Sequence, residues 1–109
     1  MKLPGGGQAV VPDGKIEAYC LSVEHPEGRH KARVFAAALG LTLVHAAFLK
    51  RRLLEAARDA EAERVGITPF GTLYRIRFML EFRNRTAMIR SGWIVGPDGV
   101  PRLTTAMVE

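Results

Sequence analysis

Residues that could carry out chemistry are concentrated between His25 and Phe35. This stretch contains a proline, a glycine, an acid and five basic residues, which are His25, Arg29, His30, Lys31 and Arg33. A histidine titrates near neutral pH and can accept or donate a proton, and a nearby lysine or arginine can stabilise negative charge on a phosphate. Metal-free RNA cleavage requires a base for the 2′-hydroxyl, an acid for the leaving oxygen and cations around the phosphate. The stretch is therefore a candidate site for that reaction.

The same residues also allow a simpler interpretation, in which His25 ends a turn and the cations are ordinary surface charges. A metal site is not favoured, because His25 and His30 are five residues apart and no cysteine supports them. Gly5-Gly6-Gly7 is not followed by the Gly-Lys-Ser/Thr sequence of a phosphate-binding loop. We therefore expect neither a metal ion nor a cofactor.

A second group of polar residues lies near the C-terminus. Ser91 and Trp93 share one face of a predicted strand, and Arg102, Thr104 and Thr105 lie on the strand that follows. Hydroxyl groups and a guanidinium at the face of a sheet could hold a phosphate. The alternative is an ordinary cross-strand pair beside a core tryptophan, and Trp93 itself is predicted to lie in the core.

Helices are predicted before these strands. Apolar residues at helical spacing indicate a short helix from about Asp13 to Leu21, a second over Arg29–Leu39 and a third from Thr42 to about Ala62. The second helix has an apolar stripe made of Ala32, Phe35, Ala36 and Leu39. Lys31 and Arg33 flank that stripe, so the second helix presents both cations beside its buried face.

The pattern changes after Pro69 from a helical period to a period of two. Tyr74, Ile76, Phe78, Leu80 and Phe82 alternate with polar residues and are predicted to face the helices. A turn at Arg83-Asn84-Arg85, a strand over residues 86–95, a Gly-Pro-Asp-Gly turn and a strand over residues 102–107 complete the pattern. The predicted fold class is α+β, with N-terminal helices packed on a C-terminal antiparallel meander of three to four strands.

Composition limits the possible functions. The chain has 109 residues with 48% hydrophobic content, as expected of a single domain spanning residues 1–109, with residues 1–8 loosely ordered. Its formal charge of +5 favours an anionic partner such as RNA or an acidic protein. The single cysteine, Cys20, allows no intramolecular disulfide and is expected to be a buried thiol. No stretch is long and apolar enough for a membrane span, so a cytoplasmic location is expected.

The order of these motifs resembles a family of uncharacterised bacterial domains. The resemblance covers nearly the whole chain and rests on Lys2-Leu3-Pro4, Lys15-Ile16-x-x-Tyr19, the block from His25 to Phe35, Trp93-Ile94, and Arg102 to Ala106. The same outline is similar to the ribonuclease domains of polymorphic toxins of the barnase–EndoU–colicin–RelE type. The resemblance implies helices followed by a curved antiparallel sheet, metal-independent RNA cleavage and a neutralising partner protein.

The resemblance also implies which residues act. His25, Lys31, Arg33 and Thr105 are its catalytic candidates. Arg29, His30, Ser91 and Arg102, taken from the two polar groups described above, are the substrate-binding candidates. The leading hypothesis is a toxin-type RNA endonuclease whose neutralising partner is a small acidic inhibitor protein. The alternative is a non-catalytic module that binds a protein or a nucleic acid through the basic outer face of the sheet.

Overall fold

The computed structural model describes residues 1–21 and 29–109. Two helices, α1 (Arg29–Leu39) and α2 (Ala46–Asp59), precede the strands β1 (Ala62–Thr68), β2 (Gly71–Phe82), β3 (Arg85–Val95) and β4 (Pro101–Val108). The four strands form one sheet in chain order, and each neighbouring pair is antiparallel. The predicted α+β fold class is therefore confirmed, with four strands in the meander.

The predicted register of β2 is also confirmed. Tyr74, Ile76 and Leu80 are buried against the helices, and Phe78 and Phe82 are half-buried against the same core. A slip of one residue would turn the alternate side chains, including Arg75 and Arg77, into the core, where an unpaired charge is strongly unfavourable.

Strand β1 was not predicted, and the end predicted for the third helix is wrong. A 3₁₀ turn over Leu43–His45 precedes α2, and α2 ends at Asp59. Residues 62–68 then form an edge strand. Alternation is weak in β1 because the strand is largely exposed on both faces and has an irregular register between Arg64 and Gly66. An edge strand with these features lacks the period of two that identifies a half-buried strand.

The buried face of α1 contains Ala32, Phe35 and Leu39, while Ala36 is half-buried. In place of the predicted first helix, the chain forms one π-helical turn over Ile16–Cys20. Cys20 is fully buried there, as expected, and burial raises the pKa of its thiol despite opposing effects from the Ala106 backbone, Lys31 and Lys15. The thiol thus packs beside β4 and the lysine of α1.

Residues 1–8, which were expected to be loosely ordered, pack on the helical layer and the sheet edge. Leu3 is buried, the Ala62 amide donates to the Met1 carbonyl oxygen at 2.6 Å, and Gly6–Gln8 form a 3₁₀ turn. Gly6 has no room for a side chain, because an added Cβ would lie 2.1 Å from the carbonyl oxygen of Ala57 in α2. The glycines therefore allow close backbone approach at this position.

No single helix in the described ranges is long and apolar enough to cross a membrane. Arg29–Leu39 and Leu43–Asp59 meet that criterion only when taken together, and they are bent by 79° at the break between them.

Candidate functional site

Two of the four catalytic candidates are in direct contact. The Lys31 ammonium group on α1 donates a hydrogen bond to Thr105 Oγ1 on β4, with an Nζ–Oγ1 distance of 2.7 Å. Lys31 and Thr105 are both half-buried, so the contact lies at the boundary between the core and solvent. A lysine ammonium has three hydrogens to donate, and this bond fixes the direction of one of them. The contact joins residues that are 74 positions apart in the sequence.

Thr105 lies next to a β-bulge in β4. The pairs Gly92–Thr105 and Trp93–Leu103 leave Thr104 as the extra residue of β4. Because of this insertion, Leu103 and Ala106 both face the core although they are three residues apart. The bulge thus breaks the strict alternation of β4 at the position where the lysine of α1 contacts it.

The other basic residues of α1 lie elsewhere on the helix. At about 100° per residue, Lys31 borders the buried stripe, whereas Arg33 is about 160° away from Lys31 around the helix axis. His30 lies nearly opposite the stripe, and Arg29 and Arg33 are on its other flank. All three of these residues are exposed. The helix geometry therefore separates Arg29, His30 and Arg33 from the contact between Lys31 and Thr105.

The fourth catalytic candidate, His25, lies outside the described residues, as does the turn predicted over residues 22–28. Because α1 begins at Arg29, Lys31 is the third residue of the helix that follows this segment.

Ser91 lies inside the core, where its hydroxyl has two partners. Ser91 Oγ donates to the Ile76 carbonyl oxygen at 3.2 Å and accepts a hydrogen bond from Trp93 Nε1 at 3.0 Å. Ser91 and Trp93 are both fully buried. The serine therefore satisfies the indole N–H of the predicted core tryptophan, and its hydroxyl is directed into the protein.

Arg102 lies on the outer face of the sheet, which is the face turned away from the helices. Its guanidinium forms an ion pair with Asp98 at 2.9 Å, and this contact lowers the pKa of the Asp98 carboxyl group. Two other arginines of that face are paired in the same way, Arg75 with Glu63 at 2.6 Å and Arg77 with Glu109 at 2.6 Å. The basic outer face predicted from the sequence is thus partly neutralised by carboxylates of the same chain.

A hollow of about 270 Å³ opens on this outer face around Gly92, and we call it the Gly92 hollow. It is lined by Val65, Leu73, Tyr74, Arg75, Arg90, Ser91, Gly92, Trp93, Thr104 and Thr105. The side chains of Ser91 and Trp93 point into the core, so these two residues contribute backbone to the hollow. Because Thr105 also accepts the bond from Lys31, the hollow and the Lys31 contact share one residue.

The two arginines of the Gly92 hollow differ in their partners. Arg75 is held by Glu63, but its Nε is buried and has no hydrogen-bond partner in the described part of the chain. Arg90 donates a hydrogen bond of 2.8 Å to Met107 Sδ, and a thioether sulfur is a weak acceptor. No carboxylate of the described residues lies within ion-pair distance of Arg90. A buried donor without a partner costs about 1–3 kcal/mol, so the Arg75 side chain is held at an energetic cost beside the hollow.

Sequence reasoning did not identify the Gly92 hollow. The sequence predicted only a basic outer face of the sheet and did not single out Arg75, Arg90 or Gly92. One available signal was the spacing of the apolar residues Leu103 and Ala106, which is three and therefore incompatible with a regular strand. That spacing would have predicted the bulge and drawn attention to the glycine paired with it.

Residues 2–109 match the family described as Domain of unknown function (DUF6883). The chain belongs to this family. The predicted resemblance to a family of uncharacterised domains is thereby confirmed at the level of the family.

Among solved structures, this DUF6883 domain resembles a chain of the "Contact-dependent growth inhibition toxin - immunity protein complex from Klebsiella pneumoniae 342". The TM-score is 0.70 at 16% sequence identity, and the alignment covers 96% of this chain and 97% of the other. At this identity the likeness shows a common fold. No curated protein matches the chain.

Proposed function

We propose that this DUF6883 domain acts in a toxin system as a metal-independent RNA endonuclease, with a site centred on Lys31 and Thr105. The observation that carries the proposal is the bond of 2.7 Å between Lys31 Nζ and Thr105 Oγ1. A lysine ammonium group that is held in place by a neighbouring hydroxyl at the edge of a sheet can stabilise the negative charge that develops on a phosphate. The formal charge of +5 and the similarity to a chain of a toxin–immunity complex support the same interpretation.

The reaction would proceed within the RNA chain. The 2′-oxygen attacks the adjacent phosphorus, the bond between phosphorus and the 5′-oxygen breaks, and the products carry a 2′,3′-cyclic phosphate and a 5′-hydroxyl. One group removes the proton from the 2′-hydroxyl and another supplies a proton to the leaving 5′-oxygen. His25 is our candidate for one of these transfers, and Lys31 would stabilise the negative charge on the phosphate. Thr105 would position the Lys31 ammonium group.

The test is to incubate purified protein with total RNA in the presence of EDTA. Wild-type protein should release fragments that end in 2′,3′-cyclic phosphates, and His25→Gln and Lys31→Ala should each lower the rate about 100-fold or more. Thr105→Val should be impaired, and Thr105→Ser should restore activity because it retains the hydroxyl group.

Lys50→Ala is the matched control, since it removes one positive charge from an exposed position on α2. It should remain active and bind RNA with only a smaller salt dependence, because one fewer phosphate contact releases one fewer counterion. RNA that stays intact over a wide range of protein concentration would contradict the proposal. Equal losses in Lys31→Ala and Lys50→Ala would show that total charge matters and not the contact with Thr105.

A second candidate function, binding of a protein partner without catalysis, is favoured by a different observation. Two large apolar side chains of β1 and its turn are mostly exposed, Ile67 at 75% and Phe70 at 80%. Exposed apolar residues grouped on a surface often mark protein contacts. The ion pairs of Arg75, Arg77 and Arg102 favour a protein over a nucleic acid on the neighbouring face, because their charge is already compensated.

This candidate is tested by co-expression with the product of the adjacent reading frame. If the two proteins form a complex, Phe70→Ser should weaken it about 30-fold, the effect of losing an interface residue worth about 2 kcal/mol. Val44→Ser is the control, because Val44 is 85% exposed and lies on the helical side of the domain. Equal affinities for all three proteins would exclude the hairpin of β1 and β2 as the contact.

A further inference from the structure

The Gly92 hollow is continuous with the Lys31 contact through Thr105. Thr105 lines the hollow and accepts the hydrogen bond from Lys31. A ligand that places a phosphate against Lys31 would therefore have its neighbouring groups beside the hollow. The phosphate and the group that enters the hollow must be neighbours in the ligand, because Thr105 borders both the Lys31 contact and the hollow.

The absence of a side chain at residue 92 lets Thr104 and Thr105 pack closely against the backbone of β3 in the hollow. A Cβ built on Gly92 would lie 2.8 Å from Thr104 Oγ1 and 3.2 Å from Thr105 Cγ2. The peptide backbone of Gly92 forms part of the floor, and the two threonines pack directly against it. Leu73 and Val65 supply apolar surface at the other end of the lining.

The size and lining favour a small, flat and uncharged group. The volume of about 270 Å³ is near the lower limit of ligand sites, which begin at roughly 300 Å³. The guanidinium plane of an arginine is a surface on which an aromatic ring can stack. The hydroxyl of Thr104, which lines the hollow, would form a hydrogen bond with the polar edge of the ring.

An isolated phosphate fits less well at this position. Arg75 is already compensated by Glu63 at 2.6 Å, so the carboxylate would repel a second anion. An isolated phosphate is also strongly hydrated, and in the hollow it would contact the apolar side chains of Leu73 and Val65. A ring that is apolar on its faces and polar at its edges meets both kinds of surface.

We propose that the Gly92 hollow binds one base of a single-stranded RNA whose adjacent phosphate lies at Lys31 and Thr105. The identity of the ligand as RNA rests on the proposed function. The hollow would hold the strand in register with the phosphate and would thereby select where the strand is cut.

The experiment measures binding without cleavage. The probe is a short single-stranded DNA oligomer, which lacks the 2′-hydroxyl, compared with an abasic oligomer of equal length and charge. Wild-type protein should bind the oligomer with bases about fivefold more tightly than the abasic one, the lower end of stacking contributions to single-strand binding. Because both oligomers carry the same phosphates, the ratio of their affinities isolates the bases.

Two variants test the hollow itself. Arg90→Lys keeps the charge but lacks the guanidinium plane, and Gly92→Ala places a methyl group on the floor. Both should reduce the ratio to about one. Arg90→Lys should leave binding of the abasic oligomer unchanged, whereas Gly92→Ala displaces Thr104 or Thr105 and is judged by the ratio alone. Gly66→Ala is the matched control, because it adds a methyl group to β1 with nothing within 4 Å, and it should keep the wild-type ratio. If Gly92→Ala does not fold, Arg90→Lys decides the result.

The outcomes separate this inference from the proposed function. Equal binding of both oligomers by wild-type protein would overturn the base site, and RNA cleavage could still be observed. A ratio that persists in Arg90→Lys and Gly92→Ala would also overturn it, since the bases would then bind elsewhere. A ratio that is lost in both variants, together with intact RNA in the cleavage assay, would support the base site and contradict the endonuclease.

Discussion

The packing of residues 1–8 on α2 predicts opposite outcomes for two adjacent glycines. A Cβ on Gly6 would lie 2.1 Å from the Ala57 carbonyl oxygen and 3.0 Å from its carbonyl carbon, whereas a Cβ on Gly7 would have nothing within 4 Å. Both glycines lack a positive φ, so the comparison of Gly6→Ala with Gly7→Ala isolates steric contact from backbone conformation. The atoms near Gly6 belong to helix backbone and cannot rotate away.

The magnitude follows from what the chain can do to relieve the contact. Overpacking of this kind costs about 1–3 kcal/mol. The loss is limited by release of the N-terminal residues, which would expose Leu3 and cost about 1.5–3 kcal/mol for that side chain. We therefore expect Gly6→Ala to lower the free energy of unfolding by about 2 kcal/mol and the Tm by about 8 °C. Gly7→Ala should change the free energy of unfolding by less than about 0.5 kcal/mol.

Urea unfolding of the two variants and wild type measures this difference. Trypsin provides a second measurement, because the peptide bond after Lys2 is held beside Glu61 by a backbone bridge and should be cut faster once the segment is released. Equal stability of Gly6→Ala and Gly7→Ala, with equal cleavage after Lys2, would refute the packing of this segment against α2.

Three further predictions concern the core, a turn and the buried thiol. Ser91→Ala should lower the free energy of unfolding by about 2 kcal/mol in urea, because the buried Trp93 indole N–H loses its acceptor, and it should leave oligonucleotide binding unchanged. Arg83 has a φ of 57°, so Arg83→Gly should raise the Tm, with a gain of about 1 kcal/mol, whereas Asn84→Gly should lower it. Burial raises the pKa of Cys20 above its ordinary value of 9.0, so its stabilising contribution is complete below pH 9.0 and is lost as pH rises towards the folded-state value. Cys20→Ala should therefore show a flatter decline in Tm above pH 9.0 than wild type, even if it is less stable at neutral pH.

Local periodicity predicted the parts of the fold that bury one clear face. The helix over Arg29–Leu39 and the register of β2 were predicted correctly, because each has apolar residues at one regular spacing. Strand β1 was missed for the opposite reason, since it lies at an edge, is exposed on both faces and contains a register shift. Regular patterns in a sequence arise from one-sided burial, and an edge strand has little of it.

The candidate site was predicted only in part, because its geometry depends on contacts between distant segments. Lys31 and Thr105 were named in two separate polar groups, and the resemblance made both catalytic candidates. Their contact joins residues that are 74 positions apart in the sequence. Arg33 was grouped with Lys31 because the two are close in sequence, but the helix turns them to different flanks. Ser91 was a candidate phosphate ligand, with an ordinary place beside a core tryptophan as the alternative. Its hydroxyl is buried and accepts the hydrogen bond of the Trp93 indole, as in the alternative.

The net charge of the chain overstates the positive charge available on the outer face, because arginines of this face have carboxylate partners in the same chain. The formal charge of +5 predicted an anionic partner, yet three arginines of the outer face are each paired with a carboxylate. Exposed pairs of this kind contribute little to stability, typically less than about 1 kcal/mol, but each one cancels the local field that a phosphate would experience.

On the outer face, Arg90 has no carboxylate of the described residues within ion-pair distance, and it lines the hollow that shares Thr105 with Lys31. The positive potential available to a phosphate is therefore expected to be greatest beside β4 and not across the whole sheet. Replacing Glu63 with glutamine should then raise the affinity for the abasic oligomer near Arg75 and extend binding across the sheet, measured as a steeper dependence of affinity on salt. An unchanged salt dependence in Glu63→Gln would mean that the carboxylate does not limit anion binding, and that the ion pairs on this face leave its arginines available to a phosphate.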